Sequence, residues 1–194
     1  MISEGPAVMC VSGSTKASKS ATRALMRIGS DLLIDHVRVT TLDLSSLQLP
    51  IYAGHPPKEN PNAAVGVALS QVSLADAVVF GIPCYWGLPA GPFINFIDLM
   101  CGPAYDLPTE RTAFSGLPVG VLLVGADPES AILARKPVEK MLSMIGADLV
   151  DEPLLVANPR HNPNAAIIRD VSRLFVETAK LAAVRYARRR RDGA

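Results

Sequence analysis

Charge of either sign is scarce in this sequence: 19 Lys and Arg stand against 18 Asp and Glu in 194 residues, a formal net charge of +1. So even a balance gives no field to draw a nucleic acid or a membrane surface onto the chain as a whole. It also disfavours an electron carrier that docks on basic partners through a strongly acidic surface. Cysteine is scarcer still. Cys10, Cys84 and Cys101 are odd in number and lie in or beside apolar segments, which argues against a secreted disulfide framework and fits a reducing, cytoplasmic compartment. No apolar run reaches the roughly 18 residues that span a bilayer. The first residues lack the basic start and long apolar core of a signal peptide. His36, His55 and His161 stand too far apart for metal-ligand spacing, so no metal is expected.

Apolar residues, by contrast, make up 49% of the chain, as in a compact protein whose sheet is covered on both faces. The length suits one domain over residues 1–194. Strands are expected at Ala7 to Ser12, Val37 to Leu42, Ala77 to Ile82 (closed by Pro83), Val119 to Val124 and Leu149 to Val156. Between and after them, helices are expected at Ser18 to Leu33, Asn62 to Ser73, Pro89 to Met100, Ser130 or Ala131 to Ile145, and Asn164 to about Arg190. Two stretches, Leu47 to Asn62 and Cys101 to Gly116, read as long loops, and loops of that length are often functional. Residues from about 184 onward are basic and are expected to fray into solvent, because Arg188 to Arg191 end a long helix where cations suit the helix dipole. Five strands alternating with five helices imply right-handed crossovers and a mostly parallel, doubly wound α/β sheet, of strand order 2-1-3-4-5 or of the dinucleotide-binding order.

The first loop helps to choose between them. Gly13 is the only glycine between Ala7 and Arg27, so the closely spaced glycines that admit a pyrophosphate are missing, as is the longer glycine loop of a nucleoside triphosphatase. Instead Ser12, Ser14, Thr15, Lys16, Ser18, Ser20 and Thr22 surround the turn into the helix. Hydroxyls, amides and a cation at a helix N-terminus suit a single phosphate, although the same hydroxyls would serve a helix that merely needs capping.

Two motifs carry a resemblance. The first is Gly13-Ser14-Thr15-Lys16 followed by Ser18, Ser20 and Thr22. The second runs from Ala75-Asp76-Ala77-Val78-Val79-Phe80 through Pro83-Cys84-Tyr85-Trp86-Gly87 and Pro89 to Asn95 and Asp98. In order and spacing the chain resembles the NAD(P)H-dependent FMN reductase family over nearly its whole length. Its hydroxyl-rich first loop is most similar to the branch that supplies reduced flavin to two-component monooxygenases. The resemblance implies a flavodoxin-like five-stranded sheet of order 2-1-3-4-5, FMN as cofactor, and NADPH or NADH as electron donor. It implies a homodimer or homotetramer built on the helix after Pro89, and a flavin-dependent monooxygenase as one possible partner. Ser14, Lys16, Ser20, Ala21 and Thr22 would hold the phosphate. Backbone groups of Pro83, Cys84, Tyr85, Trp86 and Gly87 would line the flavin ring, with Tyr85 or Trp86 supplying apolar surface, and Gly125 and Asp127 would lie near its pyrimidine edge. Lys16 stands where the family has Arg, Cys84 and Trp86 depart from the family residues, and Ala126-Asp127 replaces a second glycine. The alternatives are an FMN-binding electron carrier and a specialised reductase of quinones, azo compounds or a biosynthetic intermediate. No catalytic side chain is expected, because hydride chemistry belongs to the flavin. Cys84 is read as packing rather than as a redox thiol, and Trp86 either as a gate over the ring or as part of a subunit interface.

Overall fold

The computed structural model describes residues 5–16, 19–104, 111–157, 159 and 163–192. The strands are β1 (Ala7–Ser12), β2 (Arg38–Asp43), β3 (Ala77–Tyr85), β4 (Leu88–Pro89), β5 (Pro118–Gly125), β6 (Asp148–Leu149) and β7 (Leu154–Ala157). The helices are α1 (Ala21–Asp31), α2 (Ala63–Leu74), α3 (Gly91–Cys101), α4 (Pro128–Met144) and α5 (Ala165–Asp192). A single helical turn, Pro57–Glu59, interrupts the long loop after β2.

The strands form one sheet of order β2-β1-β3-β5-β6, with β7 also parallel to β5 and β4 folded back antiparallel on β3. Taking β6 and β7 as two pieces of one edge strand, the order is the expected 2-1-3-4-5, and the fold is flavodoxin-like α/β. The expected fifth strand, Leu149 to Val156, is broken because Asp151, Glu152 and Pro153 bend away from β5 between its two pieces, and Pro153 has no N–H to give to a ladder.

Strand periodicity divides the core in two. Val8 and Cys10 of β1 with Ala77 and Val79 of β3 face α1 and α5, where Leu25, Met26, Leu174 and Phe175 cover them. Met9, Val11, Val78, Phe80, Ile82 and Cys84 face the layer of α2, α3 and α4. Phe80 anchors that second layer, with its ring centroid 5.1 Å from Phe93, 6.3 Å from Phe96 and 5.7 Å from Phe114. Edge-to-face and tilted pairs of this kind add about 1 kcal/mol each beyond burial.

Helix α3 starts at Gly91 because Pro89 belongs to β4, and α4 starts at Pro128 after the Asp127 cap; two further departures from the sequence expectation bear on the site. Helix α1 starts at Ala21 rather than Ser18, because Ser20 takes an extended conformation (φ −82°, ψ 114°) and its hydroxyl accepts the amide of Arg23; Ser18 itself lies outside the described residues. Pro83 does not close β3, which runs on to Tyr85. The proline is tolerated because β1 pairs only as far as Gly81. On that side no neighbouring strand requires a donor from residue 83, and its carbonyl instead accepts Ala90 N at 2.9 Å.

Where a solvated basic tail is expected, α5 continues to Asp192 and is tied to the sheet. Asp76, almost fully buried just before β3, accepts Ala7 N at 2.9 Å through one oxygen and Arg189 Nη1 at 3.0 Å through the other. The Asp76→Ala substitution should lower the unfolding free energy by about 2 kcal/mol, since it strips a buried amide of its acceptor as well as an arginine of its counter-ion. Arg189→Ala should cost less, about 1 kcal/mol, and the double variant should match Asp76→Ala alone; urea denaturation of the three proteins measures this.

Candidate active site

A cleft of about 300 Å³ opens at the carboxyl ends of β1, β3 and β5. Its walls are Ser14, Lys16, Lys19, Ser20, Ala21, Thr22, Ala24 and Leu25 from the first loop and α1, Pro83 and Tyr85 from the end of β3, Val124 to Ala126 from the end of β5, and Pro159 and Pro163 beyond β7. This is the crevice at which ligands bind in open α/β sheets.

One end is a hydroxyl cradle. Ser14 is only 2% exposed; its Oγ accepts Ser20 Oγ–H at 2.7 Å and Lys16 N–H at 3.2 Å. Ser20 Oγ in turn accepts Arg23 N–H at 3.1 Å. Capping of this kind contributes about 1 kcal/mol to the helix, so the cap and the cradle are one structure. Helix geometry leaves the amides of Ala21 and Thr22 without an intrahelical carbonyl, at the positive end of the helix dipole. The donor set fits a phosphate: hydroxyls, first-turn amides and two lysines.

The other end is aromatic. Tyr85 lines the cleft, and Lys16 Nζ lies 5.8 Å from its ring centroid, within range of a cation–π attraction. Lys16 therefore leans toward the ring end of the cleft rather than standing over the start of α1. Lys19, one residue before the cap, lines the cleft as well; in the sequence it is marked only by the Ser-Lys-Ser run it shares with Ser20.

Of the residues proposed from sequence, Ser14, Lys16, Ser20, Ala21, Thr22, Pro83, Tyr85 and Gly125 come together in the cleft. Cys84, Trp86, Gly87 and Asp127 do not line it. Cys84 has the opposite strand parity to Pro83 and Tyr85, so its fully buried side chain packs in the α2, α3 and α4 core. Gly87 faces Leu133 of α4, and a Cβ there would come within 2.9 Å of that side chain. Asp127 caps α4, accepting Ser130 N at 2.7 Å and Ser130 Oγ at 2.8 Å; those two bonds hold its carboxyl below the ordinary range. Gly125 is required by packing, since a Cβ would lie 2.4 Å from the carbonyl oxygen of Asp127.

Trp86 is unusual. Residues 85 to 88 form a tight hairpin, Tyr85 paired with Leu88, with φ +51° at Trp86 and +76° at Gly87. Two positive φ values define the turn that favours Asn-Gly. A bulky side chain there costs about 1 kcal/mol, yet Trp86 is 93% exposed and so gains little burial in return. Its ring centroid is 6.4 Å from that of Tyr85.

Asn95, from the second motif, clamps the loop after β2. Its Oδ1 accepts Tyr52 N and its Nδ2 donates to Pro50 O, both at 2.9 Å. Asp43, at the end of β2, pairs with Arg23 of α1 at 2.5 Å, so the second strand and the first helix are joined beside the cradle. His161 and residues 105–110 of the second long loop lie outside the described residues.

A family model described as NADPH-dependent FMN reductase matches residues 6–161. The chain belongs to this family. It is accordingly an NAD(P)H-dependent flavin oxidoreductase. No curated protein matches the sequence. Among solved structures, the apo form of an NADH:FMN oxidoreductase is similar at 15% identity and TM-score 0.69, over 90% of this chain and 89% of its own. The flavoenzyme NAD(P)H:(acceptor) oxidoreductase of Paracoccus denitrificans is similar at 20% identity and TM-score 0.67, over 91% and 95%. A flavodoxin from the domain Archaea is similar at 15% and 0.60, over 91% and 98%. At such identities these likenesses speak for the fold, and the activity class follows from the family.

All three cysteines of this flavin reductase family member are free and buried. Burial pushes the thiol of Cys84 up to about 11 and those of Cys10 and Cys101 up to about 12. The native protein should therefore show no fast-reacting thiol with Ellman's reagent at pH 8, and three in guanidinium. Because the folded thiols hold their protons above the point where unfolded ones lose them, the three should contribute a loss of stability that grows as pH rises from about 9 toward 12. Denaturation curves at pH 8 and pH 10, compared with those of Cys10→Ala, would show the smaller slope in the variant.

Proposed function

We propose that this protein binds FMN in the cleft and passes electrons from NADPH or NADH to it, and onward to an acceptor. A single observation supports this most: the capped hydroxyl cradle of Ser14 and Ser20 lies in one cleft with Tyr85, so a phosphate site and an aromatic wall share one crevice. The amides of Ala21 and Thr22 with the Ser14 hydroxyl, itself held by Ser20, would hold the phosphate, and Lys19 would supply its counter-charge. Lys16, drawn toward Tyr85, would lie nearer the isoalloxazine. Pro83, Tyr85 and Val124 to Ala126 give the ring an apolar seat that excludes water from one face. The side chains of Trp86 and Cys84, and Gly87 and Asp127, would act on that seat through the hairpin and α4 rather than by lining it.

When bound, FMN supplies the two-electron chemistry. The chain's own task is to bind, orient and shield: no described acid or base stands in the cleft apart from the two lysines and the Tyr85 phenol. Release of reduced flavin to a partner monooxygenase would be a second destination for the same electrons. Assembly as a homodimer or homotetramer through α3 belongs to the proposal and is supported by the exposed Ile94 on that helix. Cytoplasmic residence is supported by the three unpaired cysteines.

The deciding experiment is the visible spectrum of the protein with FMN, followed by anaerobic NADH and then NADPH. Saturable quenching of flavin fluorescence and bleaching faster than with free FMN are expected; absence of binding would overturn the proposal. Lys19→Ala should weaken FMN binding about tenfold, the loss of one charge-assisted contact, with a shallower dependence on salt. Lys16→Ala should weaken it less, and fluorescence titration of both variants reads the difference.

A further inference from the structure

Helix α5 is longer than its own core requires. Its buried side chains are Val171, Leu174, Phe175, Thr178, Ala179 and Ala182. Residues 183–192 add none, although the helix runs on to Asp192, and a helical extension without burial is marginal by itself. Arg185, bonded to Gly116 O, and Arg189, paired with Asp76, tie this extension to the sheet. Its outward side carries a pattern that the fold does not use.

Arg173, Glu177, Leu181, Val184, Arg188 and Asp192 recur at steps of four, four, three, four and four, which places them along one stripe of the helix surface. Leu181 and Val184, at its middle, are 40% and 47% exposed. Among the described residues Arg173, Arg188 and Asp192 form no ion pair within the chain, and Glu177 pairs only with Lys180 of the same helix, at 2.7 Å. Along the stripe the order is plus, minus, apolar, apolar, plus, minus. Laid antiparallel on a copy of itself, it sets Arg173 opposite the partner's Asp192, Glu177 opposite the partner's Arg188 and Leu181 opposite the partner's Val184. A parallel alignment would set like charge on like. The other arginines of this end are engaged within the chain: Arg185 and Arg189 turn inward, Arg190 lies over the Tyr186 ring and Arg191 Nε donates back to Ala187 O. A polyanion would meet the carboxylates of Glu177 and Asp192 on the same stripe, so the alternation favours a second copy of this chain.

We infer that α5 is a self-association surface, on which two copies pack antiparallel about a two-fold axis passing between residues 182 and 183. The contact is isologous, so every pairing in it occurs twice. One helix from each copy makes a small interface, at the low end of specific association, and the partnership is weak and salt-sensitive. It stands independent of the flavin reading and lies in the layer of α1 and α5, across the sheet from the α3 face proposed above for assembly. The two contacts together would close dimers into a tetramer.

Sedimentation equilibrium of the full chain at low salt, from micromolar to near-millimolar protein, should show the mass doubling with concentration, and high salt should weaken that step. Glu177→Arg and Arg188→Glu should each raise its dissociation constant about tenfold, because the axis counts every reversal twice. The double variant Glu177→Arg/Arg188→Glu should return to within twofold of the wild type. Register is read by oxidising a mixture of Leu181→Cys and Val184→Cys: a disulfide between unlike copies should form well ahead of any between like copies, whose cysteines are offset along the axis. The chain's own thiols are buried and do not compete. Single reversals that leave the association unchanged, a double variant that stays as weak as the singles, or disulfides formed equally between like copies would each overturn the pairing. So would a wild-type mass that stays constant over this range, and retention of that protein on heparin would then assign the stripe to a polyanion.

Discussion

The cleft exists because β1 is short. The amide of Gly13 donates to Gly81 O at 2.9 Å, the last bond between the first strand and the third, and the chain then leaves the sheet while β3 runs on to Tyr85. The carboxyl half of β3 is left without a parallel neighbour on that side, and β4 fills only part of the gap by folding back on Cys84 and Tyr85. The surface so exposed, with α1 starting above it, is where loop, helix dipole and strand end converge. Every other feature of the site follows from that arrest: Pro83 tolerated in a central strand, the hydroxyls gathered at Ser14 and Ser20, and the hairpin thrust outward at Trp86.

Much of this was legible in the sequence. The alternation of apolar runs placed five strands and five helices and the doubly wound order, because a parallel sheet covered on both faces writes itself as short β-branched blocks between amphipathic helices. The hydroxyl-rich turn after Gly13 was legible as a helix start, and Ser20 does cap α1 there. The broken edge strand was not, since Leu149 to Val156 reads as one block until the bend at Asp151 and Glu152 is seen. Nor was β4, whose two residues, Leu88 and Pro89, carry no periodicity of their own.

Within the site, what the sequence leaves open is direction rather than neighbourhood. Cys84 fits its reading as packing, since alternation along β3 sends its thiol into the core opposite the cleft. Asp127 sits at the end of the right strand, but its carboxylate is committed to Ser130. Lys16 and Lys19 illustrate a subtler limit. Proximity in sequence to a helix start does not say which of two flexible lysines reaches it, and the pull of the Tyr85 ring on Lys16 is a contact between residues 69 positions apart.

The carboxylate of Asp76 has a topological consequence. By joining the amide of Ala7 to the guanidinium of Arg189, it brings the beginning of the first strand and the end of the last helix to one point, at the end of the sheet remote from the cleft. Residues 182 positions apart in the chain, Ala7 and Arg189, are thereby held by a single side chain. Loosening either contact should therefore be felt at the other, since one carboxylate serves the first strand and the last helix alike.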